Sequence, residues 1–419
     1  MNRLHIAHFT NIYHPVINGV VRSVSAFKNA FDEMGHNTFV FTHHEGDYVD
    51  DEPFVFRYPS FEIHPSIDFP AVIPVSPFVD KIIPNLKLDV LHAHHPFLLG
   101  QTAATKAQKL GLPLVFTFHT QYREYSHYLP LPQPAVQDFA KNMIHIWLCE
   151  YIKHCQHIVV PSEGMRKILV DDYGLNEGCS VIPTGIDLTP YQQLDGRTIR
   201  NQRGWGDEKV IISVGRLTQE KNWTTLIDAF GRAFKNQSDH RLAIIGDGPE
   251  RDDLQQLAQK LGIATQVDFL GRVPFEDIPH YLAAADCFAF ASITETQGLV
   301  TLEAIAAGLP VVAVDATGTS DIVQDGIEGF VTENKSEALA NSLRSMLENP
   351  EHLYKFRNAA LLRAKFFDIR KQAKRLEEVY YLAIEDHKRG RFVKIEGEKH
   401  LVPKIIDAVI AQNTVVHPM

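Results

Sequence analysis

The chain reads as α/β, two doubly wound Rossmann-like domains in tandem, and three observations predict this. Short apolar runs of strand length alternate with amphipathic helical stretches, the pattern of a parallel sheet covered by helices. The alternation stops at the polar, glycine-containing residues 188–207 and restarts at Lys209 with a new strand. Several strands end in a glycine-containing loop that opens a helix, which is where open α/β sheets bind ligands.

Taken in order, residues 4–10 form a strand, and a loop carries Asn18-Gly19 into a helix reaching Met34. That helix has Val20, Val24, Phe27, Phe31 and Met34 on one stripe. Residues 38–42 are the next strand. Residues 43–80 are acidic, punctuated by proline, and expected to be irregular. Strands follow at 90–92, 114–118 and 157–160, with helices at 98–110, 136–154 and 163–170 between and after them. In the second half, strands are expected at 209–214, 242–246, 266–270, 286–291, 311–314 and 329–332. Helices fall at 223–235, 250–261, 275–285, 298–307 and 335–348. These patterns put an N-terminal domain at 1–190, a second at 191–365, a helix at 366–390 that returns to the first domain, and a tail at 391–419. The two domains are expected to face a cleft, with ligand loops of both at its edge.

Of the 419 residues, 45% are hydrophobic and 22% charged, as in soluble globular proteins. No apolar run approaches the length of a membrane-spanning helix. The amino terminus enters a strand pattern directly and has no signal-peptide core. Cys149, Cys155, Cys179 and Cys287 make neither a C-x-x-C pair nor a zinc spacing, and fit reduced, buried thiols in a cytosolic protein. A net charge of −10 argues against nucleic-acid binding. Charge is uneven: residues 1–190 hold 13 Lys+Arg against 19 Asp+Glu, whereas residues 353–394 hold 12 against 5. Of the 21 histidines, 15 precede residue 160.

The stretch TETQGLVTLEAIAAGLPVV (residues 294–312) lies between the strand at 286–291 and the strand at 311–314. Gly298 lets the backbone approach a ligand at a helix start, where the amides of Gly298 and Leu299 make an anion site. Glu295 precedes that point, and Glu303 lies about 7.5 Å beyond it along the helix axis. A carboxylate accepts well from paired hydroxyls. A nucleotide-sugar has such pairs on both sides of its diphosphate. Alone, the two glutamates read more readily as ordinary helix-start charges than as ligands, and the rest of the chain decides. Arg216 and Lys221, in GRLTQEKN after the strand at 209–214, suit a diphosphate: Arg216 forks onto it and Lys221 adds a mobile charge. Gly248 permits close backbone approach in IIGDGPE, a turn that reads as readily as a plain capped helix start. Arg272 and Val273 end another strand, where backbone can meet a base edge. Gly19 opens the first helix. No G-x-G-x-x-G triplet is present, which counts against NAD.

His119 ends a strand on the expected cleft, where a neutral imidazole can bond a sugar hydroxyl. His92 and His94 point the same way and His95 the opposite way. No carboxylate completes a recognisable metal set, so no metal site is expected. Tyr122, Tyr125, His127 and Tyr128 cluster after His119 as an acceptor pocket or a packed surface loop.

Together these pieces resemble the GT-B fold retaining glycosyltransferases of family 4 (group 1), over residues 4–388. The most specific element is Glu295-x7-Glu303, followed by GRLTQEKN. The resemblance implies that Glu295 and His119 contact the donor sugar, Glu303 the ribose, Arg216 and Lys221 the diphosphate, and residues 271–273 the base. Gly19 would lie by the phosphates. This chain has Asn18-Gly19 where many relatives have two glycines. It reads Glu-Thr-Gln-Gly where many read Glu-Gly-Phe-Gly. The Glu-Thr-Gln-Gly variant, with HTQYREYSHY (residues 119–128) and HPFLLG (residues 95–100), looks like the diacylglycerol glucosyltransferases. That likeness implies UDP-glucose as donor, a lipid acceptor at the cytoplasmic membrane face, and peripheral attachment. The cationic residues 353–394 would offer attraction to anionic lipid, or would be a solvated helix face.

The implied chemistry is retaining and metal-independent, without a cofactor. Attack comes on the face the diphosphate leaves, and that phosphate takes the acceptor's proton. No carboxylate pair suited to double displacement is evident. The rivals are the same chemistry with a soluble acceptor (sugar phosphate, glycan or metabolite), a nucleotide-sugar epimerase or hydrolase, and a non-catalytic nucleotide-sugar binder.

Overall fold

The computed structural model describes residues 3–61, 71–73, 75–122 and 134–395. The chain divides into two compact units, Met1–Ile182 with Ala373–Met419, and Pro183–Gln372.

The first unit holds β1 (His5–Phe9), α1 (Gly19–Glu33), β2 (Asn37–His43), β3 (Val55–Tyr58), β4 (Ser60–Phe61), β5 (Ala71–Val72), α2 (Pro77–Ile82), β6 (Val90–Ala93) and α3 (Leu99–Leu110). It continues with β7 (Leu114–Thr117), α4 (Pro134–Lys153), β8 (His157–Val160), α5 (Glu163–Tyr173) and β9 (Cys179–Val181). Seven strands pair in parallel in the order β3-β2-β1-β6-β7-β8-β9. Local chemistry sets the helix ends. Asn18 caps α1 by accepting the Val21 amide at 2.9 Å, and Ser162 caps α5 by accepting that of Met165 at 3.1 Å. The alternation of a strand separates two faces of this sheet. Ala7, Phe9, Leu91, Ala93, Phe116 and Phe118 join the apolar core on one side. His8, His92, His94, Thr117 and His119 are the intervening residues and share the other side, with His8 directly opposite His92 in the register.

The second unit holds α6 (Gly196–Arg203), β10 (Lys209–Val214), α7 (Trp223–Phe234), β11 (His240–Ile245), α8 (Arg251–Leu261), β12 (Val267–Gly271), α9 (Ile278–Ala283) and β13 (Cys287–Phe290). α10 (Leu299–Ala306), β14 (Val311–Val314), α11 (Thr319–Ile322), β15 (Gly329–Thr332), α12 (Ser336–Glu348) and α13 (Pro350–Ala364) complete it, and α14 (Ile369–Lys388) passes from it into the first unit. Six parallel strands run β12-β11-β10-β13-β14-β15. The sequences CFAF of β13 and VVAV of β14 are wholly buried, as strands with helices on both faces require.

Four features differ from the sequence reading. The units divide at 182/183 and 372/373, against the expected 190/191 and 365/366. The polar stretch 188–207 is no bare linker: it forms α6, buries Ile199, and ends at Trp205, whose fully buried indole donates to Asp268 Oδ2 at 2.8 Å. The region 43–80 contains β3, hidden because its Arg57 is spent internally on Asp50 and the His43 carbonyl. The helical stretch 353–390 breaks at the 3-10 turn Lys365–Phe367, and the start of the expected tail is anchored, with the Val393 amide donating to the Cys155 carbonyl at 2.9 Å.

Candidate active site

The site is assembled from backbone outward at the carboxyl ends of β10 to β13. Gly215 donates its amide to Ile245, Leu217 to Asp247, Glu250 to Leu217, and Gly246 to Gly271. The Ile293 amide and the Ser292 hydroxyl both reach the Glu220 carbonyl at 3.3 Å, and the Asn222 side chain donates to the Ala291 carbonyl at 3.1 Å. Four strand-end loops are therefore tied into one layer. Gly246 shows how closely: a Cβ there would sit 1.9 Å from the Gly215 carbonyl oxygen, at a φ of +140°. At Gly248 a Cβ would meet the Leu217 carbonyl oxygen at 2.5 Å, so this glycine is required by packing of the layer itself.

Within this layer the ammonium of Lys221 is paired with Glu295 Oε1, and the Ser292 hydroxyl donates to the same oxygen at 2.8 Å. Lys221 and Glu295 retain only 20% and 13% of their side-chain exposure. Arg216 extends outward, 64% exposed, with Nη2 at 3.6 Å from Glu220 Oε1. Burial raises the Glu220 pKa, but hydrogen bonds from Thr218 and its own amide, with the charges of Arg216 and Lys221, outweigh this and hold it below the usual range. Arg272 is 87% exposed at 3.9 Å from Asp247, and Val273 packs on the unit's core.

α10 begins at Gly298, whose φ of +85° is left-handed, and among the described residues no side chain caps it. The Leu299 end of the helix thus presents backbone amides to an anion. Glu303, in the same helix, is buried at 2% exposure. The loop is fixed by a contact absent from the sequence reading: Gln297 donates to the Thr184 carbonyl and accepts the Thr184 amide, both at 2.8 Å. The Thr-Gln variant before Gly298 therefore has a structural use within the second unit. Ser292 was likewise missed; its position three residues before Glu295 was its only signal.

In the first unit, Gly19 is exposed at the start of α1. His119 is buried two residues past β7, and its Nε2 is 2.9 Å from His94 Nδ1. Burial, then the nearby His95, lowers its pKa to about 3, so it is neutral in physiological conditions. Tyr122 packs edge-on against Phe97 and Phe118. Tyr125, His127 and Tyr128 lie outside the described residues. His8, His92 and His94 come close enough to hold a metal, with ligand atoms within 4.8 Å of one another, though all three are buried and bonded to protein groups. Three arginines of the stretch 353–394 bond backbone carbonyls of the fold, while most of the other cations are exposed. Arg357 donates to Ala285, Arg363 to Asp321 and Ile322, and Arg375 to the Val181 carbonyl.

Two family descriptions match this chain. Glycosyltransferase Family 4 matches residues 17–190, and Glycosyl transferases group 1 matches residues 195–363. The alpha-monoglucosyldiacylglycerol synthase of Acholeplasma laidlawii is 32% identical over 92% of this chain and 99% of its own length. The protein of the same name from Streptococcus pneumoniae is 30% identical over 91% of this chain and 86% of its own. In shape, the chain is similar to Anabaena Alr3699/HepE, solved in complex with UDP and glucose, with a TM-score of 0.71 at 21% identity over 90% of this chain and 99% of that one. The loop layer at 215–303 and both parallel sheets thus stand in a chain that belongs to the family 4, group 1 glycosyltransferases and has their GT-B fold.

Proposed function

We propose that this glycosyltransferase moves glucose from UDP-glucose to 1,2-diacylglycerol, with retention of configuration and without a metal ion. The observation that carries the reading is the near full-length relationship to two alpha-monoglucosyldiacylglycerol synthases. The geometry supplies the chemistry. Arg216, Lys221 and the uncapped start of α10 gather positive potential in one layer, the role a divalent cation plays in other transferases. In this reading Lys221 turns from Glu295 to the diphosphate, and Glu295 then accepts from the sugar hydroxyls. The bond from the anomeric carbon to the β-phosphate breaks, and the acceptor oxygen bonds the same face. The acceptor's proton passes to the departing phosphate. Glu303 takes the ribose hydroxyls.

A second observation supports the lipid acceptor. Phe139, Met143 and Trp147 recur every four residues along α4 and are 65%, 48% and 42% exposed. Trp147 also packs at a tilt against Phe97, 4.2 Å between ring centroids, and Phe97 adjoins Tyr122. An exposed apolar stripe of this kind fits the interface of a bilayer. Among the described residues no helix is long and apolar enough to cross a membrane, so attachment in this reading is peripheral.

The test is UDP-glucose turnover with EDTA present, measured with diacylglycerol in anionic vesicles, with soluble sugar and sugar-phosphate acceptors, and with no acceptor. Turnover that appears only with diacylglycerol is expected. Turnover without acceptor indicates an epimerase or hydrolase, turnover with a soluble acceptor overturns the lipid assignment, and complete loss in EDTA overturns metal independence.

A further inference from the structure

The carboxyl edge of the first sheet places four buried histidines in contact. His8 Nδ1 lies 2.8 Å from His94 Nε2, and His94 Nδ1 lies 2.9 Å from His119 Nε2. The rings of His94 and His119 are stacked, 5.2 Å apart and 26° from parallel. His92 stands beside this file but outside its chain of bonds, since its Nδ1 meets the Tyr380 hydroxyl at 2.7 Å and its Nε2 meets Thr117 Oγ1 at 2.6 Å.

We infer that His8 and His94 are positioning residues that fix the tautomer of His119, so that His119 offers a proton on Nδ1. A neutral imidazole has one donor and one acceptor. Because both nitrogens of His94 are hydrogen-bonded, it donates with one and accepts with the other. The three rings are therefore coupled and have only two consistent arrangements. In one, every Nδ1 carries the proton: His8 donates to His94, His94 donates to His119, and His119 Nδ1–H is left to donate outward. In the other, every Nε2 carries it and His119 presents a lone pair.

The far end of the file decides between them. Among the described residues, His8 Nε2 is buried and has no partner. The first arrangement leaves a lone pair there. The second leaves an N–H, and stranded buried N–H groups are the rarer case. The positive charge of Lys28, which bears on His8, favours the lone pair as well. Burial lowers the pKa of His8 to about 3 and that of His94 well below its ordinary value, which keeps the file neutral. Among the described residues His119 Nδ1 has no hydrogen-bond partner, so the donor is available to an oxygen atom. The functional consequence rests on the assignment of His119 to the donor sugar, whose hydroxyl oxygen would accept this proton. The tautomer itself does not.

The experiment is 15N–1H long-range correlation spectroscopy of histidine-labelled protein, with His119 assigned from the spectrum of His119→Asn. His119 is expected to show a protonated Nδ1 and a bare Nε2. His94→Phe removes the donor and should give a mixed tautomer and a kcat about two- to five-fold lower, in proportion to the Nδ1–H fraction lost, with KM for UDP-glucose within two-fold. His94→Asn keeps an N–H in the place of Nδ1 and should restore both. His8→Phe removes the end of the file that sets its direction and should also give a mixed His119 tautomer; an unchanged tautomer would remove His8 from the file. A protonated Nε2 on His119 in the unsubstituted protein overturns the inference, as does a stoichiometric metal ion bound through His8, His92 and His94. An Nδ1–H tautomer with normal transfer in His119→Phe, which has no donor there, upholds the file and overturns the sugar-contact assignment instead.

Discussion

At the scale of single residues, the pairing of Lys221 with Glu295 has the largest consequences. Both side chains are mostly buried, so removing either leaves a poorly solvated charge. Lys221→Met is expected to lower kcat on the order of 10²-fold, the usual effect of deleting one charge-stabilising donor. Glu303→Ala should weaken UDP binding by about 1–3 kcal/mol, the range for a charged hydrogen bond left unmade. Glu295→Ala should lower transfer more than UDP binding. Calorimetric titration with UDP beside steady-state kinetics separates these outcomes, and unchanged values in both glutamate variants would remove the site assignment. Gly246→Ala tests the backbone layer: steric overlap with the Gly215 carbonyl and an unfavourable φ should cost at least about 2 kcal/mol in urea unfolding. Arg216, Lys221, Glu295 and Glu303 were legible as candidates because each sits at a recognisable offset from a strand end or helix start. Ser292 and the His8–His94–His119 file were not, because their meaning depends on strands that are neighbours in space. His8 and His94 are 86 positions apart.

At the scale of elements, the loop before α10 depends on Gln297. Its side chain satisfies both backbone groups of Thr184 in a buried setting. Gln297→Leu leaves an amide and a carbonyl unpaired, at about 1–3 kcal/mol each by the usual desolvation cost. Chemical denaturation should show that loss, and an unchanged midpoint would mean the loop is held by other contacts. The α4 stripe gives an opposite expectation. Phe139→Ser with Met143→Ser alters exposed positions, so stability should stay within about 0.5 kcal/mol. Binding to anionic diacylglycerol vesicles should fall at least ten-fold, since each large apolar side chain contributes about 1.5–3 kcal/mol on burial; unchanged sedimentation with vesicles would place the membrane contact elsewhere. Strand and helix alternation was readable wherever the elements were fully buried, as in β13 and β14. It failed where a polar stretch hides a few deeply buried anchors. Trp205 and Ile199 in and after α6, and Arg57 in β3, are the instances.

For the whole molecule, the skew of histidine toward the first unit sets its response to acid. Burial, with the charge of Lys28 for His8 and a neighbouring histidine for His95 and His119, lowers the pKa of His8 and His119 to about 3 and that of His95 and His157 to about 4. Their unfolded value is near 6.5. The unfolded chain therefore binds more protons as pH falls through that window. The contribution of these groups is fully present above about pH 6.5 and is lost progressively toward pH 4. With the unfolded histidines going from half to about nine-tenths protonated, each group costs about 1 kcal/mol, so the four lower stability by about 4 kcal/mol between pH 6.5 and 5.5. Urea midpoints across that range check this, and a flat profile would show that the file is charged or solvated. The same four positions bear on function only through His119.

The central claim is retaining transfer of glucose to a lipid, and the anomeric configuration of the product tests it most directly. UDP-α-glucose and 1,2-diacylglycerol in anionic vesicles, followed by proton NMR of the extracted glycolipid, should give the α-glucosyl product alone. A β-linked glucolipid would contradict retention, and glucose found only in water-soluble products would contradict the lipid acceptor.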